Sequence, residues 1–196
     1  MNAILVAAQA LAAKGYKLFP VHTPITDKTG KVTGCSCEEY KRSEKYKAYL
    51  EAKGRAGEFN PAFKCENIGK HPRLMDWEER ATSDPAQLDK WFAKAWCSVD
   101  VDTGRRVWLV PNLGLACGPS GILVLDRDKY KADYQELDLS IHDQTTITAI
   151  SGGGGEQLWY AMPDDRRYTN SPKGLPPCND VRGWGGFVVV APSLHK

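Results

Sequence analysis

Gly121-Ile-Leu-Val-Leu-Asp126-Arg-Asp128 is the stretch on which the fold turns. The unbroken aliphatic run from Ile122 to Leu125 suits a strand buried on both faces. Asp126 and Asp128 then follow two residues apart, and side chains of an extended chain alternate, so both carboxylates point to one side. Neighbouring carboxylates repel each other and need a cation to stay ionised together. Hard divalent ions such as Mg²⁺ or Mn²⁺ take oxygen ligands of this kind and bridge to phosphates. The alternative is a buried strand ending in a solvated turn, because Asp-x-Asp often arises by chance.

Toward the C-terminus stands Ser151-Gly152-Gly153-Gly154-Gly155-Glu-Gln157, between two strand-like runs. Glycines permit positive φ and let a phosphate approach backbone N–H groups. No Gly-Lys-Ser/Thr follows, which excludes a Walker A loop. No helical pattern follows either, which argues against a dinucleotide-binding fold. Past the loop, Gln157 and Trp159 face one way and Leu158 and Tyr160 the other. A flexible hairpin tip is the competing reading. Further on, Asp180 and Arg182 share a face if their segment is extended. A carboxylate for metal beside a guanidinium for phosphate is the pairing that nucleotidyl transfer needs; a surface ion pair ahead of a buried strand is the alternative.

Toward the N-terminus, residues 3–14 are rich in Ala and Leu and end at Gly15, which predicts a helix, and residues 16–21 predict a short strand. Residues 38–53 favour helix. A further helix starts at Ser83 or Asp84 with Pro85 in its first turn. Strands are expected at 113–117, 121–126, 145–150, 157–162 and 186–191, and a helix within 129–137. This pattern predicts one α+β domain over residues 1–196, with a metal-binding insertion at 34–72. Within that polar insertion Cys35, Cys37, Cys65 and His71 form a set of three thiolates and one imidazole suited to a tetrahedral Zn²⁺, with His22 as a possible substitute. Cys97, Cys117 and Cys178 read as packing residues.

Composition narrows the class. A chain of 196 residues with 42% hydrophobic and 10% aromatic content supports one sizeable core and is not a disordered tail. Lys and Arg number 26 against 24 Asp and Glu, so bulk charge gives no strong nucleic-acid signal and any such surface is local. No apolar run approaches the roughly 20 residues needed to span a bilayer, and residues 1–14 lack a basic start and a cleavage site. A cytoplasmic location without membrane contact is the expectation, and there six cysteines are thiols or metal ligands before they are disulfides.

In order along the chain, Gly15-Tyr-Lys-Leu-Phe-Pro-Val-His22, Cys35-Ser-Cys37, Gly69-Lys-His-Pro-Arg73, Trp77 with Ala81-Thr-Ser-Asp84, Leu113-Gly-Leu-Ala-Cys-Gly118, Leu123-Val-Leu-Asp126-Arg-Asp128, Ser151 to Gly155, and Asp180-Val-Arg-Gly through Pro192-Ser193 resemble the bifunctional DNA primase/polymerase N-terminal domain of the archaeo-eukaryotic primase superfamily. The resemblance covers nearly the whole chain. It implies an RRM-like catalytic sheet packed against a second α/β unit, and metal-dependent primer synthesis or DNA extension in replication of a phage, plasmid or mobile element. It makes Asp126, Asp128 and Asp180 the catalytic carboxylates that hold two Mg²⁺ or Mn²⁺ ions. The Ser151 to Gly155 loop, Gln157, Arg182 and Lys70 become nucleotide-binding residues, with Arg73 a further phosphate candidate. Family members usually carry a histidine where this chain has Gln157, and their cysteine cluster is more compact. Implied partners are a single-stranded DNA template, a primer, nucleoside triphosphates and a helicase, with a helicase or primase region following Lys196. Two other classes stay open: a nucleic-acid or nucleotide-binding module with weak or no catalysis, and a zinc-stabilised structural domain.

Overall fold

Capping residues and buried stripes fix the elements of the first half of the chain. The computed structural model describes residues 2–140, 146–171 and 174–194. Helix α1 (Ala3–Ala12) opens on Asn2, whose side chain accepts from the Leu5 N–H, and Gly15, at φ +90°, turns the chain toward β1 (Leu18–Val21). Strands β2 (Pro24–Thr26) and β3 (Val32–Cys35) form a hairpin, followed by α2 (Cys37–Lys41) and α3 (Glu44–Ala52). Two short helices come next, α4 (Trp77–Arg80) and α5 (Pro85–Phe92), the latter capped by Asp84.

The second half is strands: β4 (Trp96–Asp100), β5 (Arg105–Leu109), β6 (Asn112–Ala116), β7 (Ile122–Arg127), β8 (Ile147–Ile150), β9 (Glu156–Ala161), β10 (Asn179–Arg182) and β11 (Phe187–Val190). They give a mixed α/β architecture of small antiparallel sheets. A three-stranded sheet runs β1-β6-β11 and a four-stranded sheet runs β10-β7-β9-β8, with β2-β3 and β4-β5 as separate hairpins. One core joins them. Leu5 and Ala8 of α1 and Leu88 and Phe92 of α5 belong to the same buried cluster as Leu18, Leu115 and Val188 of the smaller sheet and Ile122, Val124 and Trp159 of the larger. Each large apolar side chain so buried contributes about 1.5–3 kcal/mol.

The smaller sheet is tightest at its centre. Gly114, midway along β6, lies opposite Phe19 and Val189, and a Cβ there would come within 2.7 Å of Phe19 Cζ and Val21 Cγ2. Gly114→Ala therefore forces core side chains out of place and lowers stability by about 1–3 kcal/mol. Chemical denaturation reads this as an earlier midpoint; an unchanged midpoint would show that Phe19 moves aside freely.

The structure departs from the sequence pattern in three places. The helix expected within 129–137 is replaced by turns. Lys131 N–H reaches Asp128 C=O, but Gln135 N–H turns to Pro177 C=O and Gln135 C=O accepts from Asn179 Nδ2, so these backbone groups serve the neighbouring 176–179 segment instead. The helical run at 38–53 is split at Ser43, whose side chain caps α3 by accepting from Tyr46 N–H. The hairpins β2-β3 and β4-β5 add strands beyond those the sequence pattern predicts. The strand expected at 145–150 begins here at Ile147; Thr145, like His195 and Lys196, lies outside the described residues. Among the described residues no helix is long and apolar enough to cross a membrane.

Candidate active site and metal centre

Strand β7 is interior to the larger sheet, between β10 and β9, and this register assembles the site. Asp126 is paired with Asp180 on one side and Gln157 on the other. Residues directly opposite in antiparallel strands present side chains on one face, so the three form a row across the sheet. Arg182, two positions beyond Asp180, joins that face. Its Nη2 is 2.8 Å from Asp180 Oδ2 and 3.8 Å from Asp126 Oδ2. Gln157 Nε2 donates to Asp126 Oδ1 over a long 3.5 Å. Burial pushes the Asp126 carboxyl above the usual carboxylate range; the Arg182 guanidinium opposes this and the Asp128 charge adds to it.

Asp128 is placed differently. Strand β7 ends at Arg127, so alternation no longer governs Asp128, which pairs with Lys131 Nζ at 2.6 Å. Among the described residues, only the thiols of Cys35, Cys37 and Cys65 bring three potential ligand atoms within 4.8 Å of one another. Asp126 and Asp180 share a guanidinium, and Asp128 an ammonium, instead of converging as a ready trio.

A cleft of about 610 Å³ opens over this face, within the range usual for small-molecule sites of about 300–1,000 Å³. Asp126, Gln157 and Arg182 line it together with Ser151 and Gly152, and Asn67, Lys70 and His71 enter from the insertion. Gly153, Gly154 and Gly155 stay outside the lining. They close a tight hairpin tip, in which Ser151 N–H donates to Gly155 C=O, Gly154 N–H to Ser151 C=O and Gly155 N–H to Ser151 Oγ. Arg73 is not part of the cleft either: its guanidinium lies 4.8 Å over the Trp96 ring and donates to Ser98 Oγ. Asn67 and Asn170 are polar cleft residues that the sequence did not single out; the signal for Asn67 was its position between two candidate metal ligands.

The second centre stands behind that wall. Cys35, Cys37 and Cys65 are buried together, and His71 Nδ1 is 3.5 Å from both Cys37 Sγ and Cys65 Sγ. Sulfur at 2.3 Å and nitrogen at 2.0 Å from a tetrahedral Zn²⁺ lie about 3.5 Å apart, so the donor set and its spacing fit that ion. Around it, Gly69 N–H donates to Cys35 Sγ, and the buried Glu38 accepts from Cys65 N–H at 3.1 Å. Hydrogen bonds from Cys37 and Cys65 hold the Cys35 thiol well below the usual thiol range.

His22, the possible substitute ligand, is turned to Ser36 Oγ at 2.9 Å. Burial, with Arg73 nearby, pushes its pKa down to about 3 from 6.5. The unfolded chain binds this proton more readily, so stability present above pH 6.5 is lost as pH falls toward 3, by up to about 1.4 kcal/mol per unit. Replacing the ring in His22→Gln should flatten the change in unfolding free energy between pH 6.5 and 5 relative to the parent; an identical slope in both would remove His22 as its source.

Asp180 and Asp128 stay outside the lining, Asp180 reaching the cleft through its ion pair with Arg182. A carboxylate, a guanidinium, an amide, a lysine and one end of a glycine turn around one cleft equip a protein to bind phosphorylated ligands. Its family is more definite. Residues 8–196 match the model of the bifunctional DNA primase/polymerase N-terminal domain, and the chain belongs to that family. Membership implies a primase-polymerase, nucleotidyl-transferase role with DNA and nucleotides as substrates. A search of the curated proteins finds no match.

Proposed function

We propose that the protein is a metal-dependent nucleotidyl transferase that makes primers or extends DNA on a single-stranded template, in replication of a phage, plasmid or other mobile element. The observation that carries this reading is the register of the larger sheet, which sets Asp180 opposite Asp126 with Arg182 against both. On this reading the four-stranded sheet acts as the RRM-like catalytic sheet, and β1-β6-β11 with α1 and α5 as the second α/β unit. The whole chain works as one domain, with 34–72 as its zinc-binding insertion, and a helicase is its natural partner.

Asp126, Asp128 and Asp180 would hold Mg²⁺ or Mn²⁺, which supplies charge neutralisation at the leaving pyrophosphate and activation of the primer 3′ hydroxyl. Arg182 moves from carboxylate to phosphate and balances its charge. Ser151 and Gly152 border the triphosphate, and Gly153, Gly154 and Gly155 hold the turn that presents them. Gln157 donates a hydrogen bond to it, and Lys70 adds a positive charge from the opposite wall. Extension of a primer on single-stranded DNA, assayed with each nucleotide set and each divalent ion, tests this directly. No incorporation under any of these conditions would sink it.

A second reading has one observation behind it. Gln157 donates to Asp126 and cannot become cationic, which suits a nucleotide-binding module with weak catalysis. Gln157→His separates the two. In a polymerase it should raise incorporation by about tenfold, because charge-assisted hydrogen bonds are roughly twice as strong as neutral ones. In a pure binder it changes nothing.

A further inference from the structure

His71 takes part in two sites. Its Nδ1 faces the thiols of Cys37 and Cys65, and the same residue lines the cleft that holds Asp126. Cys65 and His71 are therefore the two anchored ends of one short loop, and the residues that this loop carries into the cleft are Asn67 and Lys70.

The middle of the loop is pinned as firmly as its ends. Gly69 N–H donates to Cys35 Sγ at 3.5 Å, and Gly69 C=O accepts from Asn112 Nδ2 at 3.2 Å. Gly69 has φ +75°, and a Cβ on it would lie 3.1 Å from both Asn112 Nδ2 and a Pro24 ring carbon, so the turn has little room to shift. Asn112, buried at the start of β6, in turn donates to Leu194 C=O and accepts from Leu194 N–H, both at 2.9 Å. Leu194 lines the same cleft. A continuous series of hydrogen bonds thus runs from the thiol cluster through Gly69 and Asn112 to Leu194 in the cleft lining. Lys70 also lies close enough to favour ionisation of Asp126.

We propose that the thiol-imidazole centre sets one wall of the nucleotide cleft: zinc fixes the Cys65–His71 loop so that Lys70 meets the phosphates and Asn67 hydrogen-bonds the nucleotide. The inference rests on the nucleotidyl-transferase reading and assigns Asn67 as a further binding residue. It also makes zinc and nucleotide binding mutually dependent, because coupling between two sites is reciprocal. A nucleotide that draws Lys70 and Asn67 inward holds the loop closed over the metal, and a loop freed from metal no longer presents either side chain.

The test uses the zinc-loaded full chain, a fluorescent nucleoside triphosphate with Mg²⁺, and a chromogenic chelator that takes zinc from the protein. Asn67→Ala and Lys70→Ala should each keep about one zinc per chain, the stoichiometry of a closed four-ligand site. Each should weaken nucleotide binding about tenfold, as expected on losing a hydrogen bond to a charged group. Glu66→Ala, exposed in the same loop and outside the cleft lining, should leave the affinity unchanged. Saturating nucleotide should slow zinc transfer to the chelator about tenfold, within the usual range of coupling, and Lys70→Ala should abolish that protection. Zinc transfer that ignores bound nucleotide, or full affinity in both alanine variants, overturns the proposal while leaving the nucleotidyl-transferase reading intact. Failure of the zinc-loaded parent to bind any nucleotide overturns both.

Discussion

Asp126→Asn should reduce nucleotide incorporation on the order of 10³-fold, equivalent to about 4 kcal/mol of barrier, without unfolding the protein. The two effects separate because of where the carboxylate sits. Asp126 occupies the centre of the row formed with Asp180 and Gln157, so removing its charge removes the middle ligand of the proposed metal site. The amide keeps the shape and a hydrogen-bonding oxygen. In the metal-free protein, burial raises the folded pKa of Asp126 above the ordinary 3.8. The stability linked to its protonation is complete below 3.8 and is lost as pH rises through the folded value. The asparagine variant escapes that loss and should be at least as stable at neutral pH without metal. Primer extension and thermal melting on one preparation check both halves. Incorporation at the parent rate would end the assignment of Asp126, whatever the melting temperature did.

Cys35→Ser combined with Cys37→Ser should release zinc and lower stability by more than about 4 kcal/mol, as loss of a structural metal does. In a domain of this size that is about 10 °C in melting temperature. Apolar support at the thiols themselves is thin: among the described residues, Phe63 and Ile68 are the other apolar side chains packed on the cluster. The insertion's ties outward include the hydrogen bonds from Val99 N–H to Glu39 and from Asn112 to Gly69 C=O and the ion pairs of Asp102, in the β4-β5 turn, with Arg42 and Lys64. Exposed pairs of this kind contribute about 0–1 kcal/mol each. Metal analysis and calorimetry read the outcome. A parent protein that purifies without zinc and melts no differently when zinc is added would remove the metal from this account.

How much of this was legible depended on whether the signal was local. The β7 strand was readable because four aliphatic residues in a row suit an interior strand, and α5 because Asp84 and Pro85 announce a helix start. The hairpin β4-β5 was missed although Gly104, at φ +69°, marks its turn. Its outer face exposes Trp108 and its strands alternate only briefly, so no long pattern forms. The absent helix at 129–137 failed for the opposite reason: its residues tolerate a helix, but Asn179 and Pro177, some forty positions away, claim the backbone of Gln135. Asp180 and Arg182 were legible as a pair sharing one face, but their seating against Asp126 depends on strand order, which no short window contains. For the same reason Asn67 escaped notice, since only the folded insertion brings it to the cleft.

The placement of Arg182 has a consequence for how the cleft fills. A tethered guanidinium is already the counter-ion of Asp180 and lies near Asp126, so a free metal ion has to displace a competitor that cannot diffuse away. A phosphate relieves this by drawing the guanidinium onto itself and leaving the carboxylates open. Cation and anion then enter best together, the phosphates taking the guanidinium as the metal takes the carboxylates.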